Sequence, residues 1–451
     1  MKYKHRIFTL LISALPLLNA VSSPLPLGEG AGEGLILEHG TLYGEGIIPS
    51  CHASTIVELP NGDMLAAYFA GTYEGHPDCC IYMSRRRAGH TTWDRPQLLV
   101  SGIRTASTES AFSYDDPAEG TDPAGIDDFT KNTRKRKPCY NPVLYMLPGS
   151  QPQLKSSARF DQSMVKRSEA KLVGPPGSAE AIKQQTIVPT LVLDYKLGKF
   201  VQDWTGWEVR STDGGYTWTQ PRPLQTDSAL HQIQLGPIKN KPVVIPMMQP
   251  DGRTPRVFPG GGVRSHRIGG APQTPYRLLA GSSTETGGDW KFHFEYSDDG
   301  GKTWTLTYPE RDTLQCIQPS ILFLKDGRLK AIGRTRHGRL AQCYSSDYGT
   351  TWSEVTLSDM PNNNSGTDAL TLRDGRHVLV YNDSNVEGRR TPLSVAISDD
   401  AEHWTKICDL ETDDLGEYSY PSVIQASDGK LWVLYTWRRQ QIGYAVIDIE
   451  K

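Results

Sequence analysis

The chain has 451 residues, a formal net charge of −3, and 43 glycines, 31 prolines and 10 tryptophans. A net charge this close to zero argues against a protein built to bind nucleic acid or an anionic membrane surface. Its length would ordinarily predict two or three domains, but a closed ring of repeats forms one large domain and accounts for the same length.

The N-terminus has the features of a targeting segment. Within residues 1–22, a basic start is followed by an apolar run from Ile7 to Leu18 and then by small residues. That order is typical of a secretory signal peptide, and the apolar run is too short for a membrane span. Residues 23–34 follow as a flexible linker. We therefore expect a secreted or periplasmic protein without a membrane span.

Downstream, one short pattern recurs. Ser-x-Asp-x-Gly-x-Thr-Trp occurs at residues 211–218, 297–304 and 345–352, and degenerate copies occur at 84–93 and 398–404. In each of the three full copies the aspartate can accept backbone N–H bonds, the glycine can adopt a positive φ, and the tryptophan can be buried beside the turn. An EF-hand calcium loop needs alternating acids and a closing glutamate, which these copies lack. The pattern, called the box turn below, therefore predicts a hairpin turn and not a metal site.

The spacing of the box turns predicts the architecture. Their tryptophans are 48 residues apart from Trp304 to Trp352 and 52 residues apart from Trp352 to Trp404. A repeat of roughly 40–50 residues with four short strands is typical of a β-propeller blade. Segments that predict an inner hairpin, with a turn rich in Asp, Asn and Gly, occur six times, at 57–68, 191–201, 243–253, 322–332, 370–380 and 424–435.

The sequence thus predicts an all-β fold, a six-bladed β-propeller over residues 35–451. The sixth hairpin has no box turn after it, because the chain ends soon afterwards. We expect residues 35–44 to supply the missing outer strand of this last blade, which would close the ring and leave no open sheet edge. Two stretches, 101–190 and 251–281, interrupt the repeats as insertions that either shape a substrate cleft or are disordered.

The seven cysteines do not form a recognisable framework. Their spacing lacks the close pairs of a zinc site, and their odd number leaves at least one of them unpaired. We expect them to be buried as small hydrophobic residues rather than joined as disulfides.

Three features resemble the sialidase (neuraminidase) superfamily: box turns repeated around a six-bladed ring, the segment GEYSYPSV near the end of the chain, and the arginines that precede two box turns. The resemblance covers the chain from about Leu35 onward. It implies that arginines bind the carboxylate of an acidic sugar, that an aspartate protonates the leaving group and that a tyrosine, activated by a glutamate, attacks. A neutral tyrosine avoids the repulsion that a carboxylate nucleophile would experience beside the substrate carboxylate.

By this resemblance, Tyr418 is the expected nucleophile, and Tyr420 is the alternative. Glu74 and Asp78 lie in the loop GTYEGHPD, where the family has its acid. Both acids could equally be turn formers. Box turns alone do not imply chemistry, because glycan lyases and non-catalytic propellers also carry them.

Two features depart from the family pattern. Sialidases begin the first blade with Arg-Ile-Pro, whereas this chain has Ile47–Pro49. One arginine is therefore missing, and His52 is the candidate to replace it, unless it is a satisfied core histidine. The activating glutamate is also missing from CIQPSIL, where Gln318 stands, so Glu295 or Glu417 would have to act as the base.

The remaining candidates are polar residues at strand ends, which could line the mouth of the ring and bind an acidic sugar. Each has an alternative interpretation as an exposed or locally paired side chain. They are Arg334, Arg336, Arg339, Arg389, Arg390, Arg438, Asn141, Lys239 and Gln318, with Lys241, Ser365 and Asp368 as further lining.

Three functions remain open from the sequence. The main hypothesis is an exported glycoside hydrolase of sialidase type that removes a terminal acidic sugar, sialic acid or a uronic-acid-like residue, without a metal or organic cofactor. The second is a uronate lyase, in which arginines neutralise the carboxylate and a histidine or tyrosine moves the proton. The third is a non-catalytic carbohydrate-binding propeller. Each has an acidic glycan as its partner, and the oligomeric state is left open.

Overall fold

The computed structural model describes residues 35–102, 137–148, 189–224, 235–247, 276–286 and 288–450. These residues form six four-stranded sheets, each with its strands in antiparallel order, which are the blades of a β-propeller. The predicted fold class and blade number are confirmed. The predicted signal peptide and linker lie outside the described residues.

The first three blades follow the chain from its second strand. Blade 1 consists of β2 (Ser50–Glu58), β3 (Met64–Gly71), β4 (Cys80–Arg86) and β5 (Gln97–Val100). Blade 2 consists of β6 (Cys139–Met146), β7 (Leu191–Leu197), β8 (Thr205–Ser211) and β9 (Arg222–Pro223), with a 3-10 turn at Val201–Asp203. Blade 3 consists of β10 (Val243–Pro246), β11 (Tyr276–Thr286), β12 (Asp289–Ser297) and β13 (Thr305–Thr307).

The last three blades are built in the same order. Blade 4 consists of β14 (Cys316–Phe323), β15 (Leu329–Thr335), β16 (Arg339–Ser345) and β17 (Thr356–Pro361). Blade 5 consists of β18 (Asp368–Thr371), β19 (His377–Asn382), β20 (Leu393–Ser398) and β21 (Thr405–Glu411). Blade 6 takes β22 (Tyr418–Gln425), β23 (Leu431–Trp437) and β24 (Gln441–Ile447) from the C-terminus and β1 (Ile36–Thr41) from the other end of the chain.

The N-terminal strand closes the ring as predicted. β1 pairs antiparallel with β24, with Thr41 opposite Gly443. A buried contact reinforces the closure: Nε2 of His39 lies 2.7 Å from the hydroxyl of Tyr435, which donates to Glu411 at 2.6 Å. The closing strand is therefore held by side chains of blades 5 and 6 as well as by its backbone bonds.

The box turns have the predicted structure. Oδ1 of Asp213 accepts hydrogen bonds from the backbone N–H groups of Tyr216 and Thr217, at 3.1 and 2.9 Å. Gly215 has a φ of 86° and donates its N–H to Ser211 Oγ at 2.8 Å. A cation of the preceding blade also donates to a backbone carbonyl of four of these turns; the four cations are Arg85, Arg210, Arg277 and Lys330. The box turns therefore fix the contacts between neighbouring blades.

Four of the six predicted inner hairpins are confirmed, and two differ. Residues 191–201 contain β7, the second strand of its blade, which pairs with β6. In blade 3, the second half of the predicted hairpin 243–253 lies outside the described residues, and β10, at its start, pairs with β11. In both blades the local turn signal was misleading, because the paired strands are far apart in sequence. The range 101–190 also contains β6, and the range 251–281 includes the first half of β11.

All seven cysteines are buried, and none is joined in a disulfide. The described residues contain no group of three or more His, Cys, Asp or Glu placed to hold a metal ion. Over the same residues, no helix combines the length and apolar character that crossing a membrane requires.

Candidate active site

A bulge occurs near the start of the inner strand in four blades. At each bulge the strand register shifts and a residue other than glycine adopts a positive φ: Ala53 at 53°, Asn141 at 43°, Gln318 at 60° and Tyr420 at 53°. Such bulges redirect side chains and often lie next to active sites. In three of the four, proline follows the bulged residue, which suits a position without a ladder hydrogen bond.

The bulged residues of blades 2, 4 and 6 border a cavity of about 310 Å³ at the centre of the ring. Blade 1 contributes a loop residue to this pocket, and blade 3 contributes the hairpin between β11 and β12. The pocket is lined by Glu74, Tyr140, Asn141, Lys199, Phe200, Val201, Trp204, Glu285, Trp290, Ile317, Gln318, Arg334 and Tyr420.

The hydroxyl of Tyr420 is surrounded by donors. Nη1 of Arg334 donates to it at 2.8 Å, and Nε2 of Gln318 donates at 3.2 Å. The Arg334 guanidinium is itself fixed by Asn364, whose Oδ1 accepts from Nε at 3.1 Å and from Nη2 at 2.9 Å. Donors aimed at one oxygen stabilise negative charge that develops on it.

Further cations lie near the Tyr420 ring. The ring centroid is 5.9 Å from Arg334 Cζ, 5.7 Å from Arg390 Cζ and 5.7 Å from Lys239 Nζ. Lys239 is buried and donates to Asn240 and to the carbonyls of Thr367 and Pro421, at 2.7–2.8 Å. Burial lowers the pKa of Lys239 to about 7. Lys239 therefore ties blades 3, 5 and 6 together below the pocket instead of lining it.

His52 lies beside Tyr420 in the first blade. Its ring centroid is 4.1 Å from that of Tyr420, and its Nδ1 is 2.8 Å from Thr436 Oγ1. Burial, together with the charges of Arg439, Arg390, Arg334 and Lys239, holds the pKa of His52 well below its ordinary value. The imidazole is therefore neutral near neutral pH, and because its protonated form is disfavoured it cannot replace an arginine as a carboxylate-binding cation.

Two arginines at the pocket rim are shared with carboxylates. Oε1 of Glu417 accepts from Arg390 Nη1 at 2.7 Å and from Arg439 Nε at 2.6 Å, and Arg439 also binds Glu74. Burial by itself raises the pKa of Glu417, but these two guanidinium groups hold it below its ordinary value. By contrast, Arg334 is 6% exposed, and the hydrogen bonds described above for it go to neutral side chains. Arg334 is therefore the strongest anion-binding group in the pocket.

The expected nucleophile, Tyr418, lies outside the pocket. It is 1% exposed and packs in the core between blades 5 and 6. Its hydroxyl lies 3.4 Å from Asp413 and 3.3 Å from Arg438, both beyond the usual range of a strong hydrogen bond. In a regular strand Tyr418 and Tyr420 would face the same way, but the bulge at Tyr420 turns that side chain alone towards the axis.

Among three of the expected acids and bases, one lines the pocket and two do not. Glu74 lines the pocket, whereas Asp78 is tied within its own loop by Thr72, at 3.0 and 2.6 Å, and by His76. Glu295 is fully buried behind the pocket, where it accepts from Gly236 and from His293.

Four of the expected substrate-binding arginines are exposed and lie outside the pocket lining. Arg336 stacks on Trp290, with its Cζ 3.8 Å from the ring centroid, and so adjoins the pocket. The other three form surface ion pairs with nearby aspartates: Arg339 with Asp359, Arg389 with Asp414 and Arg438 with Asp413. Exposed pairs of this kind contribute little to binding or stability.

Sequence reasoning missed the aromatic residues that blade 2 brings to the pocket and the hairpin residues that blade 3 brings. Tyr140 and Trp204 form one wall, with their ring centroids 4.8 Å apart and their planes tilted by 33°, and Phe200 is exposed at its edge. Glu285 and Trp290 face each other across the β11–β12 hairpin on the opposite side. The repeated bulge segments CYNP, CIQP and YSYP contain Asn141 and Gln318, which are candidates from the sequence, and Tyr420, the alternative there to Tyr418.

The chain matches the family model for a BNR repeat-like domain over residues 162–433, which is more than half of its length. Among characterised proteins, the anhydrosialidase of Macrobdella decora is 28% identical over 189 residues. That match covers 37% of this chain and 24% of the leech protein, so the chain spans about a quarter of the length of this relative.

Solved structures share the fold at low sequence identity. A Trypanosoma rangeli sialidase has a TM-score of 0.53 and 15% identity, covering 95% of this chain and 60% of that chain. A Penicillium chrysogenum α-L-arabinanase has a TM-score of 0.51 and 16% identity, covering 92% of this chain and 99% of that chain. Enzymes with different substrates thus share the propeller, and these likenesses establish the fold alone. The family match shows that the chain belongs to the BNR repeat-like domain family.

Proposed function

We propose that this protein is a glycosidase that removes a terminal carboxylate-bearing sugar from a glycan, with Tyr420 as the nucleophile. The observation that carries the proposal is the hydrogen bond of 2.8 Å from Arg334 to the Tyr420 hydroxyl, inside the central pocket. The nucleophile proposed here is Tyr420 and not the expected Tyr418, because Tyr420 lines the pocket and Tyr418 does not.

The surroundings of Tyr420 offer a way to activate it without a glutamate. Arg334 and Gln318 both donate to its hydroxyl oxygen, and the Arg390 guanidinium lies within 6 Å of the ring. Preorganised positive charge of this kind stabilises a developing phenolate in a water-poor site. Cations would thus do the work that the activating glutamate does in the superfamily pattern.

The charge and shape of the pocket support an acidic sugar as the ligand. Arg334 supplies a buried positive charge held by neutral partners, which suits a single carboxylate. The aromatic wall of Tyr140, Trp204 and Phe200 offers flat surfaces for the apolar face of a sugar ring. The name of the leech relative, an anhydrosialidase, is consistent with such a substrate.

A second candidate reaction is β-elimination at a uronic acid, and one observation favours it. The unprotonated His52 ring lies 4.1 Å from the ring of Tyr420, which lines the pocket, so a base and a proton donor are adjacent. In that reaction the histidine would remove the proton beside the carboxylate, and the tyrosine would protonate the leaving oxygen. The residues are shared by both reactions, but the products differ.

The test is a product analysis on a panel of glycans that end in sialic, glucuronic, galacturonic or iduronic acid. Hydrolysis releases a saturated acidic sugar, whereas elimination leaves a double bond that absorbs in the ultraviolet. A fluorinated acidic sugar with a good leaving group should label Tyr420, which peptide mass spectrometry can locate. The Tyr420→Phe variant is the matched control and should not be labelled.

Each other outcome points to a different function. Unsaturated products would show that the reaction is elimination and not hydrolysis. Binding to an acidic glycan without any product would indicate a carbohydrate-binding propeller. We further propose, from the apolar run in residues 1–22, that the protein is exported; detection of the unprocessed chain in the cytoplasm alone would contradict this.

A further inference from the structure

We propose that Glu285 is the proton donor to the leaving group in this pocket and the base for the water that follows. The inference rests on the proposed glycosidase function and adds a residue that the superfamily pattern does not indicate. It begins from the placement of Glu285 in the same cavity as Tyr420 and Arg334.

The shape of blade 3 brings Glu285 to the pocket. β11 is 11 residues long, but β10 covers only its first four residues, Tyr276 to Leu279. The rest of β11 continues with β12 as a projecting hairpin in which Glu285 pairs with Trp290. Near the tip of that hairpin, both side chains line the cavity. A rigid strand, rather than a loop, therefore positions the carboxyl group.

The environment of Glu285 favours its protonated form. Burial raises the pKa of this carboxyl above its ordinary value, and the opposing effects of Arg334 and of the Ser283 hydrogen bond are smaller. Ser283 is fully buried and donates to Glu285 Oε1 at 3.0 Å, which holds the carboxyl in one orientation. A general acid needs this combination of a fixed position and a pKa closer to neutrality.

The other carboxyl groups near the pocket are engaged differently. Glu74 lines the cavity but is bound by the Arg439 guanidinium. Asp78 is bound by Thr72 and His76, and hydrogen bonds to these neighbours hold its pKa low in spite of partial burial. A carboxylate stabilised in its charged form is a poor proton donor. Glu285 is thus better suited to be the acid than either residue of the first-blade loop.

In the first of two steps, Tyr420 reacts as the phenolate that Arg334 and Gln318 hold by hydrogen bonds, its proton having passed to water before the substrate reacts. As the glycosidic bond breaks, its electron pair goes to the leaving oxygen, which takes the proton of Glu285, while the phenolate oxygen of Tyr420 bonds to the anomeric carbon. In the second step the Glu285 carboxylate takes a proton from water. The water oxygen bonds to the anomeric carbon, the bond to Tyr420 breaks, and its electron pair returns to the tyrosine oxygen.

The test compares wild type, Glu285→Gln and Glu74→Gln, with Glu354→Gln as a matched control at an exposed glutamate on the outer side of blade 4. Each variant is assayed on the natural acidic glycan, which has a poor leaving group, and on the 4-nitrophenyl glycoside of the same sugar. We expect Glu285→Gln to lose about 10²–10⁴-fold in kcat/KM on the glycan but less than about tenfold on the nitrophenyl glycoside.

Two further signatures separate an acid–base residue from a structural one. Glu285→Gln should release a burst of nitrophenol and then turn over slowly, and added azide should accelerate this second phase. Removal of a hydrogen bond that stabilises the charged carboxylate should raise the pKa of Glu285, so Ser283→Ala should shift the alkaline limb of the kcat/KM profile to higher pH. Ser283→Ala keeps the carboxyl group and so tests the inference even if Glu285→Gln folds poorly.

Equal losses on both substrates, without a burst or azide rescue, would overturn the role of Glu285. The role of Glu285 would also be overturned if Glu74→Gln, instead of Glu285→Gln, lost much more activity on the glycan than on the nitrophenyl glycoside. Failure of the proposed function is distinguishable, because wild type itself would then release no sugar from either substrate.

Discussion

The two tyrosines of the segment YSYP provide the sharpest test of the site. Tyr420→Phe and Tyr418→Phe each delete one oxygen and keep the ring. The structure predicts opposite outcomes for them, because Tyr420 lines the pocket and Tyr418 is buried between blades 5 and 6.

The size of each effect follows from the contacts of the two hydroxyls. In Tyr420→Phe, Arg334 loses an acceptor at 2.8 Å but keeps Asn364, so the free energy of unfolding should fall by only about 1–2 kcal/mol. The contacts of the Tyr418 hydroxyl, at 3.3 and 3.4 Å, are long, and their loss should cost less than about 1 kcal/mol.

Activity should separate the two variants far more than stability does. If Tyr420 attacks the anomeric carbon, Tyr420→Phe should lower kcat by about 10³-fold or more, with a small change in KM, whereas Tyr418→Phe should stay within about threefold of wild type. The assay is steady-state release of the acidic sugar, with thermal melting to confirm folding. Loss of activity in Tyr418→Phe, with Tyr420→Phe nearly normal, would refute the assignment of the pocket.

Three other outcomes are expected. Asp213→Ala should lower the free energy of unfolding in urea by about 1–3 kcal/mol, because four hydrogen bonds of a box turn are lost, while specific activity stays unchanged. Arg390→Ala should weaken an acidic substrate far more than its methyl ester, since a charge-assisted bond is lost only with the acid. His52 is neutral when folded, but the unfolded chain binds a proton below about pH 6.5, so its contribution to stability is present above that pH. It should be lost on acidification by up to about 1.4 kcal/mol per pH unit, which His52→Gln should abolish.

Each of these has a clear contrary result. Activity lost in Asp213→Ala without a change in melting would make the box turn part of a site. Equal losses on acid and ester would remove Arg390 from carboxylate recognition. An unchanged pH dependence of unfolding in His52→Gln would mean that the buried imidazole is protonated in the folded protein.

The sequence by itself determined the blade count and the closure of the ring. Both depend on local patterns: a box turn encodes its own hydrogen bonds within eight residues, and its full or degenerate copies occur in five of the six blades. The prediction that residues 35–44 complete the last blade needed only the missing outer strand and the cost of an open edge. Where strand partners are far apart in sequence, as for β6 with β7 and β10 with β11, the local signals gave two wrong hairpins.

Only the tertiary structure decided which side chains meet at the axis. A bulge with a positive φ turns Tyr420 towards the pocket and leaves Tyr418 in the core, and alternation along a strand does not reveal this. Glu285 reaches the pocket because β11 extends beyond its inner partner, which depends on how blade 3 is assembled. The neutrality of His52 arises from burial among cations of blades 3 to 6, which come together only when the ring closes. The sequence could name the residue types of the site, but their protonation and orientation depend on contacts between distant blades.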